Sequence, residues 1–266
     1  MQIEKTFMLV ITDLDGTLLD HETYSWAEAS EAKEMLASRH IPLVMCSSKT
    51  VSEIQTFRAS LEINYPFIVE NGGAVYLPPK SDQDADWNCI ALGKNRAEIL
   101  AVLSDARRSG FSFKSFQDMS VKDVMDATGL DKDSARQAMQ REFTEPLLWL
   151  DGNDRLPAFS KYIESRGLTM VSGGRFIHVS AGCDKGNALY CLKKYYEQEF
   201  GSLPTVIALG DSSNDVSMLE AADRAVVVKS AVQDYPQVNH KQVIYTEKTG
   251  PAGWNAAIKQ ILFEER

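Results

Sequence analysis

A short apolar segment that leads into two aspartates constrains the fold of this chain more than any other feature. Residues 7–11 form the apolar segment, and Asp13-Leu14-Asp15-Gly16-Thr17 begins two residues after it. A continuous apolar run of this length is typical of a strand that is buried on both faces of a parallel sheet. Both carboxylates would then lie at the carboxyl edge of an open α/β sheet, where such sheets bind their ligands.

The two aspartates are close enough to predict a bound cation. Side chains alternate along a strand, so Asp13 and Asp15 can point the same way, and Gly16 allows a tight turn beside them. Two neighbouring anions repel unless one is protonated or a cation lies between them. We expect Mg²⁺, because it prefers oxygen ligands and needs only one or two carboxylates. A simple Asp-Gly turn is the alternative for these residues alone.

Two further strand ends carry polar residues. The predicted strand 43–46 ends in Ser47-Ser48-Lys49-Thr50, and a predicted helix over residues 51–61 follows. Hydroxyl groups, a lysine and a helix N-terminus favour an anion site, although serine and threonine here can also be plain helix caps. The predicted strand 66–69 runs into Glu70-Asn71-Gly72-Gly73, whose glycines allow either a close backbone approach to a ligand or an ordinary turn.

The C-terminal part of the chain supplies a lysine and a second acidic cluster. Lys185 precedes a predicted helix over residues 187–200. A cation there opposes the helix dipole unless an anion lies nearby, and a solvated lysine is the alternative. The buried strand predicted at 205–209 ends in Gly210-Asp211-Ser212-Ser213-Asn214-Asp215, whose acidic residues either cap the next helix or complete a metal site. The last predicted strand covers residues 225–228, and a closing helix follows it.

The middle of the chain has a different pattern of apolar and polar residues from the two ends. Residues 111–116 mix phenylalanines with polar residues, which predicts a strand with one covered face, unlike the fully apolar strands on either side. Helical patterns and a hairpin-like segment at 168–180 surround it. We therefore expect an α+β domain over residues 83–182, inserted into a core made of residues 1–82 and 183–266.

Composition excludes several classes of protein. The formal net charge of -9 argues against nucleic acid as a partner, because nucleic-acid binding usually needs a basic face. The four cysteines show no CxxC spacing, so neither a zinc site nor a disulfide framework is predicted. No stretch approaches the roughly 20 apolar residues of a membrane span. We expect a cytoplasmic protein with no membrane partner.

Four of these segments occur in an order that resembles the haloacid dehalogenase (HAD) superfamily, in the subgroup with a large type IIB cap. They are D-x-D-G-T, the serine after the second strand, the lysine at a helix start, and G-D-x-x-N-D. The resemblance implies a Rossmann-like, doubly wound parallel-sheet core with an inserted α+β cap. It also implies a phosphatase that acts through an aspartyl-phosphate intermediate.

The resemblance assigns roles to individual residues. It implies that Asp13 is the nucleophile and that Asp15 is the general acid and base. Ser47, chosen over Ser48, would bind phosphate, and Lys185 would balance the charge of the nucleophile and phosphate. Mg²⁺ would be held by Asp13, the backbone carbonyl of Asp15 and Asp211, with Asn214 and Asp215 as ligands or as supports of the ligands.

Accessory motifs refine the expected substrate. C-S-S-K-T, E-N-G-G, R-E-F-T-E-P, G-G-R-F-I-H and T-G-P-A-G-W are similar to those of the mannosyl-3-phosphoglycerate phosphatase family. That similarity implies a small phosphorylated sugar or glycerate substrate. We expect a monomer or weak dimer. A general sugar-phosphate phosphatase, a phosphosugar mutase and a glucosyl rather than mannosyl substrate stay open. The candidate substrate-binding residues are Ser48, Lys49, Asn71, Gly72, Arg141, Arg175 and His178.

Three of these candidates have structural alternatives. Arg141 and Arg175 can instead be surface charges of the cap or form an ion pair with Glu142, and His178 in its alternating strand can be purely structural. Arginine suits a carboxylate because its guanidinium makes two parallel hydrogen bonds. A substrate with a carboxylate beside its phosphate therefore predicts a role for Arg141 or Arg175.

Overall fold

A computed structural model describes residues 7–79, 86–173 and 176–264. The strands within these ranges are β1 (Met8–Thr12), β2 (Leu43–Cys46), β3 (Phe67–Val69), β4 (Ala74–Leu77), β5 (Asn88–Ala91), β6 (Phe113–Ser115), β7 (Glu145–Trp149), β8 (Thr169–Gly173), β9 (Phe176–Ser180), β10 (Thr205–Gly210), β11 (Arg224–Lys229) and β12 (Val243–Thr249). The α-helices are α1 (Ser30–Ser38), α2 (Val51–Leu61), α3 (Arg96–Arg108), α4 (Val121–Thr128), α5 (Lys132–Ala138), α6 (Leu156–Glu164), α7 (Lys185–Phe200), α8 (Val216–Ala221) and α9 (Gly250–Glu264).

The larger sheet has eight strands in the order β12-β11-β10-β1-β2-β3-β4-β5. Neighbours from β12 to β3 pair in parallel, whereas β3–β4 and β4–β5 pair antiparallel. The chain reverses between β3 and β4 through four residues, which is too short for a parallel crossover. The predicted parallel core is therefore present, with an antiparallel extension at one edge.

Helices cover both faces of this sheet. Along β1, Leu9 and Ile11 face the buried side chains of α7 and α8, while Val10 faces those of α1, α2 and α9. All three side chains are fully buried. This alternation under two helical layers explains why the strand is apolar throughout, and it confirms the doubly wound α/β fold.

The smaller sheet is antiparallel, with the order β6-β7-β9-β8. Ile177 and Val179 of β9 pack with α3 and α6 on one face. Phe176 lies on the opposite face with apolar residues of α4 and α5. His178 and Ser180 share that second face because strand side chains alternate.

Three strands were not predicted, namely β4, β5 and β12. β12 pairs with β11, so residues 225–228 are not the last strand. β5 lies within the range 83–182 expected for the cap, yet it pairs with β4 in the larger sheet. A cap that begins after β5 fits this pairing better than one that begins at residue 83, and the division into domains remains a proposal. Among the described residues, no helix is both long enough and apolar enough to cross a membrane.

Candidate active site

Neighbouring strands of the larger sheet bring the predicted site residues together. β1 pairs with β10 on one side and with β2 on the other, so their carboxyl ends lie side by side. Asp13 follows β1, Ser47 follows β2 and Asp211 follows β10. The parallel register therefore collects at one edge groups that are far apart in the sequence.

Three aspartates form a buried acidic cluster at this edge. Asp13, Asp211 and Asp215 each offer a carboxylate oxygen, and these atoms lie within 4.8 Å of one another. Lys185 Nζ lies 2.6 Å from Asp13 Oδ1 and 2.6 Å from Asp215 Oδ1. Lys185 is fully buried, so this helix-start lysine is a partner of the acidic cluster and not a solvated side chain.

The charges in the cluster perturb one another. Burial raises the pKa of Asp13 well above its ordinary value, Lys185 lowers it in part, and the neighbouring carboxylates raise it further. Burial and Asp215 likewise raise the pKa of Asp211 to about 6. Burial alone would lower the pKa of Lys185, but Asp13 and Asp215 raise it above its ordinary value. The cluster thus has more negative charge than one lysine balances.

Gly16 and Thr17 explain the remainder of the D-x-D-G-T motif. Gly16 has φ +79°, and a Cβ at this position would lie 2.8 Å from Asp211 Oδ2. The Thr17 hydroxyl donates a hydrogen bond to Asp211 Oδ1 over 3.1 Å. The motif therefore both makes the turn and orients the aspartate that follows β10.

The G-D-x-x-N-D segment is held by its own last residue. Asp215 Oδ2 accepts hydrogen bonds from the backbone N–H groups of Asp211 and Ser212, at 3.1 and 3.0 Å. Lys185 Nζ donates to the other oxygen, Oδ1, so both oxygens of Asp215 already have partners. Asn214 Nδ2 donates to Asn71 Oδ1 over 3.0 Å. These contacts favour a supporting position for Asn214 and Asp215 around Asp13 and Asp211.

A divalent cation fits this donor set. The cluster offers carboxylate oxygens whose mutual repulsion a cation would relieve. Asp15 Oδ1 is also buried without a hydrogen-bond partner among the described residues. Oxygen-only ligands of this kind suit Mg²⁺ and Ca²⁺ and not the softer transition metals.

The second strand end places Lys49 against Asp15. Lys49 Nζ lies 2.8 Å from Asp15 Oδ2. Burial would lower the pKa of Lys49, but Asp15 and Glu53 raise it. Ser47 is buried, and its Oγ accepts a hydrogen bond from the backbone N–H of Lys49. Thr50 is the N-cap of α2 in a capping box with Glu53, so the cap interpretation holds for Thr50.

Arg141, in the segment that precedes β7, reaches this loop. Its guanidinium donates from Nη1 and Nη2 to the Ser48 carbonyl over 3.2 Å, and from Nη1 to Thr144 Oγ1 over 2.7 Å. Its neighbouring carboxylate is Glu70, at 3.7 Å, and not the Glu142 considered from the sequence. Nε is buried and has no partner among the described residues.

His178 lies where the cavities of the site meet. A cavity of about 290 Å³ is lined by Asp15, Ser48, Asp211 and His178 among others. A second, of about 480 Å³, is lined by Lys49, Arg141 and His178 among others. Burial and the charge of Arg141 lower the pKa of His178 to about 3, so the ring is neutral at physiological pH. Its Nδ1 has no hydrogen-bond partner in the described part of the chain.

The other predicted residues fall in different places. Gly72 has φ +93°, and a Cβ there would lie 2.1 Å from the Asp184 carbonyl, so this glycine packs against the start of α7. Arg175 lies outside the described residues. The sequence analysis assigned no role to Glu70. Its position directly after the strand 67–69 and before Asn-Gly-Gly is the signal that could have placed it near the carboxyl edge of the sheet.

We expect Mg²⁺ to raise the melting temperature roughly 5 °C more at about pH 7 than at about pH 4.5. The folded-state pKa of Asp211, about 6, lies above its unfolded value, so the metal-free protein loses stability through this group as the pH rises between the two values. A cation competes with protons for the same oxygens and therefore stabilises most above that range. Thermal unfolding with and without Mg²⁺ measures the difference.

The matched variant for this measurement is Asp211→Asn. It removes one cation ligand, whose pKa is raised to about 6, so its gain from Mg²⁺ at pH 7 should be smaller than that of the unaltered protein. An equal Mg²⁺ gain at both pH values in the unaltered protein would contradict the assignment of the cluster as a cation site.

Two curated relatives match almost the whole chain. A protein of Persephonella marina named glucosyl-3-phosphoglycerate/mannosyl-3-phosphoglycerate phosphatase is 37% identical over 265 residues, covering 97% of this chain and 98% of the relative. A protein of the same name from Methanococcoides burtonii is 36% identical over 264 residues, covering 96% and 97%.

The fold and the family model agree with these relatives. The solved structure of a HAD subclass IIB sugar phosphatase superposes with a TM-score of 0.66 at 15% identity, covering 96% of this chain and 98% of that chain. The model of the haloacid dehalogenase-like hydrolases matches residues 10–252. The predicted enzyme class and family are confirmed: this chain belongs to the haloacid dehalogenase-like hydrolases.

Proposed function

We propose that this protein is a Mg²⁺-dependent phosphomonoester hydrolase in which Asp13 is the nucleophile. The observation that carries the proposal is the buried contact of Lys185 with both Asp13 and Asp215, inside a cluster that needs a further cation. Lys185 holds the orientation of the Asp13 carboxylate at the sheet edge and balances part of the negative charge of the cluster. Such preorganisation is what phosphoryl transfer requires.

The reaction then proceeds in two displacements. A carboxylate oxygen of Asp13 attacks phosphorus, the bond from phosphorus to the substrate oxygen breaks, and an aspartyl-phosphate forms. Water attacks phosphorus in the second step and releases inorganic phosphate and free Asp13. Bound Mg²⁺ would supply charge neutralisation on the phosphoryl oxygens. Lys185 and the Ser47 hydroxyl would bind the same oxygens from the protein side.

Asp15 is the proton carrier in this proposal. Asp15 Oδ2 forms an ion pair with Lys49, whereas Oδ1 has no partner among the described residues. Asp15 lines the 290 Å³ cavity together with Asp211. A proton from Asp15 would go to the leaving oxygen, and Asp15 would later accept one from the attacking water. Lys49 fixes the side-chain orientation in which this exchange takes place.

We propose a glycosyl-3-phosphoglycerate as the substrate, in the mannosyl or the glucosyl form. The names of both relatives support this choice. The cavity of about 480 Å³ beside Asp15 supports it as well, because it has the cations Lys49 and Arg141 on its wall. A leaving group with its own carboxylate suits that cavity better than a neutral sugar does. Dephosphorylation of the mannosyl compound would yield mannosylglycerate.

Phosphate release across a panel of esters tests this function. We expect kcat/KM for mannosyl- or glucosyl-3-phosphoglycerate to exceed that for mannose 6-phosphate and glucose 6-phosphate by about 100-fold, because a paired carboxylate adds about 2–3 kcal/mol of binding. Assays in Mg²⁺ and in EDTA give the metal requirement. Equal rates across the panel would leave a general phosphatase, and an isomerised sugar phosphate without free phosphate would indicate a mutase.

A further inference from the structure

Glu70 is a fully buried carboxylate outside the acidic cluster. Its Oε1 accepts a hydrogen bond from the backbone N–H of Glu142 over 2.8 Å. Its Oε2 accepts from the N–H groups of Phe143 and Thr144, at 3.2 and 2.9 Å, and from the Thr144 hydroxyl at 2.6 Å. These donors belong to the segment that leads into β7 of the smaller sheet. One side chain of the core therefore holds three successive peptide groups of that segment.

The backbone at Glu70 also takes a conformation that glycine favours. Glu70 has φ +50° and Asn71 has φ +57°, and Gly72 follows with φ +93°. A residue with a side chain is unfavourable in this left-handed region, so two in succession persist only where contacts enforce them. The contacts that do so connect this turn to three other segments.

One connection runs to the loop after β2. The N–H of Glu70 donates to the Lys49 carbonyl over 3.0 Å, and the N–H of Asn71 donates to the Ser47 carbonyl over 2.9 Å. Arg141 reaches the Ser48 carbonyl of the same loop from the other side. The loop that would bind phosphate is thus held between the turn and the segment that leads into β7.

The other connection runs to the loop after β10. Asn71 Oδ1 accepts a hydrogen bond from Asn214 Nδ2, and Asn214 lies between Asp211 and Asp215. Glu70 and Asn71 therefore touch the segment 142–144, the loop 47–49 and the loop 211–215 together. A displacement of the segment 142–144 would therefore be transmitted to both loops through the hydrogen bonds of Glu70 and Asn71.

We propose that Glu70 is a positioning residue that makes the geometry of the phosphate-binding and metal-binding loops depend on the placement of the smaller domain. Its carboxylate fixes the segment 142–144, its backbone N–H binds the Lys49 carbonyl, and the adjoining Asn71 passes the position of the turn to Ser47 and Asn214. The consequence for catalysis rests on the proposed phosphatase function, whereas the coupling between the segments does not.

Hydrogen–deuterium exchange and kinetics of Glu70→Gln in the full chain test this proposal. Glutamine keeps the shape but turns an amide donor toward the N–H groups, so the segment 142–144 loses acceptors. We expect amide exchange to rise about tenfold in residues 47–49 and 211–215 as well as in 142–144. We also expect kcat for glycosyl-3-phosphoglycerates and for p-nitrophenyl phosphate to fall about tenfold at a temperature where the variant is folded. Faster exchange confined to residues 142–144 would overturn the coupling.

Glu145→Gln is the matched control. Glu145 is also fully buried, but its partners are Arg96 Nε at 2.6 Å and the N–H of Gln117 at 2.7 Å, neither of which touches the two loops. We expect Glu145→Gln to lower stability without changing exchange in residues 47–49 or 211–215. Equal kinetic losses in both variants would reduce Glu70 to a structural role and overturn the proposal.

Thr144→Val provides a second variant in case Glu70→Gln does not fold. It removes the hydroxyl that donates to Glu70 and accepts from Arg141 but keeps the side-chain shape. The same pattern of exchange is expected with smaller changes, and unchanged exchange in both loops would contradict the proposal. An unaltered protein that hydrolyses neither ester would contradict the proposed function, while the exchange result would still decide the coupling.

Discussion

Asp13→Asn should lower kcat for phosphate release on the order of 10⁴-fold or more, because an amide cannot form the aspartyl-phosphate. Lys185 retains Asp215 as a partner in this variant, so the buried ammonium is not left alone. The substitution also removes a carboxylate whose burial raises its pKa, which offsets part of the lost ion pair. We therefore expect the free energy of unfolding to change by only about 1 kcal/mol.

Two measurements separate this loss of chemistry from a loss of structure. Acid-quenched reactions with radiolabelled substrate should leave label on the unaltered protein and none on Asp13→Asn. Asp20→Asn is the control, because Asp20 is an aspartate of the same loop region whose carboxylate binds Thr23 near the surface. It should keep full activity. Residual hydrolysis by Asp13→Asn above about 1% of the unaltered rate would remove Asp13 from the role of nucleophile.

The parts of the fold that the sequence predicts are those in which burial determines the pattern. β1, β2 and β10 are apolar because helices cover both of their faces, and their continuous apolar sequences therefore predict buried strands. β5 and β12 lie at the two ends of the sheet and are mostly exposed. Backbone pairing with one neighbouring strand holds them in the sheet, so their sequences carry no periodic apolar pattern that would indicate a strand. Their absence from the predicted strands follows from that physics.

The residues of the candidate site also divide into those that the sequence predicts and those that it does not. Asp13 and Asp211 each follow a strand at the carboxyl edge, so the order of elements predicts that they lie close together. Lys185 begins α7, and its place beside Asp13 was predicted only through the resemblance to the HAD superfamily. Glu70 and Arg141 act through contacts with residues more than 70 positions away, such as Glu70 with Thr144 and Arg141 with Ser48. No local pattern encodes those pairs, because they join segments that are far apart in the sequence and meet only in the folded chain.

Lys185→Met should lower the free energy of unfolding by about 3–5 kcal/mol, because it leaves carboxylates buried without their cation. Lys185 is fully buried between Asp13 and Asp215, and its pKa is raised by both. We expect kcat to fall on the order of 10²–10³-fold, since the variant loses a fixed positive charge beside the phosphoryl group. Urea unfolding and phosphate release measure the two effects.

Lys193→Met on the same helix is the matched control for Lys185→Met. Lys193 Nζ lies 2.9 Å from Asp223 Oδ2, a distance similar to those of Lys185, but the Asp223 side chain is 45% exposed. Water screens that pair, so its loss should cost at most about 1 kcal/mol and leave kcat unchanged. Mg²⁺ should recover part of the stability lost in Lys185→Met, because it supplies positive charge to the same carboxylates, and should stabilise Lys193→Met only as much as it stabilises the unaltered protein. Equal destabilisation of the two variants would mean that the acidic cluster does not depend on its buried lysine, and the charge balance proposed for Asp13 would fail with it.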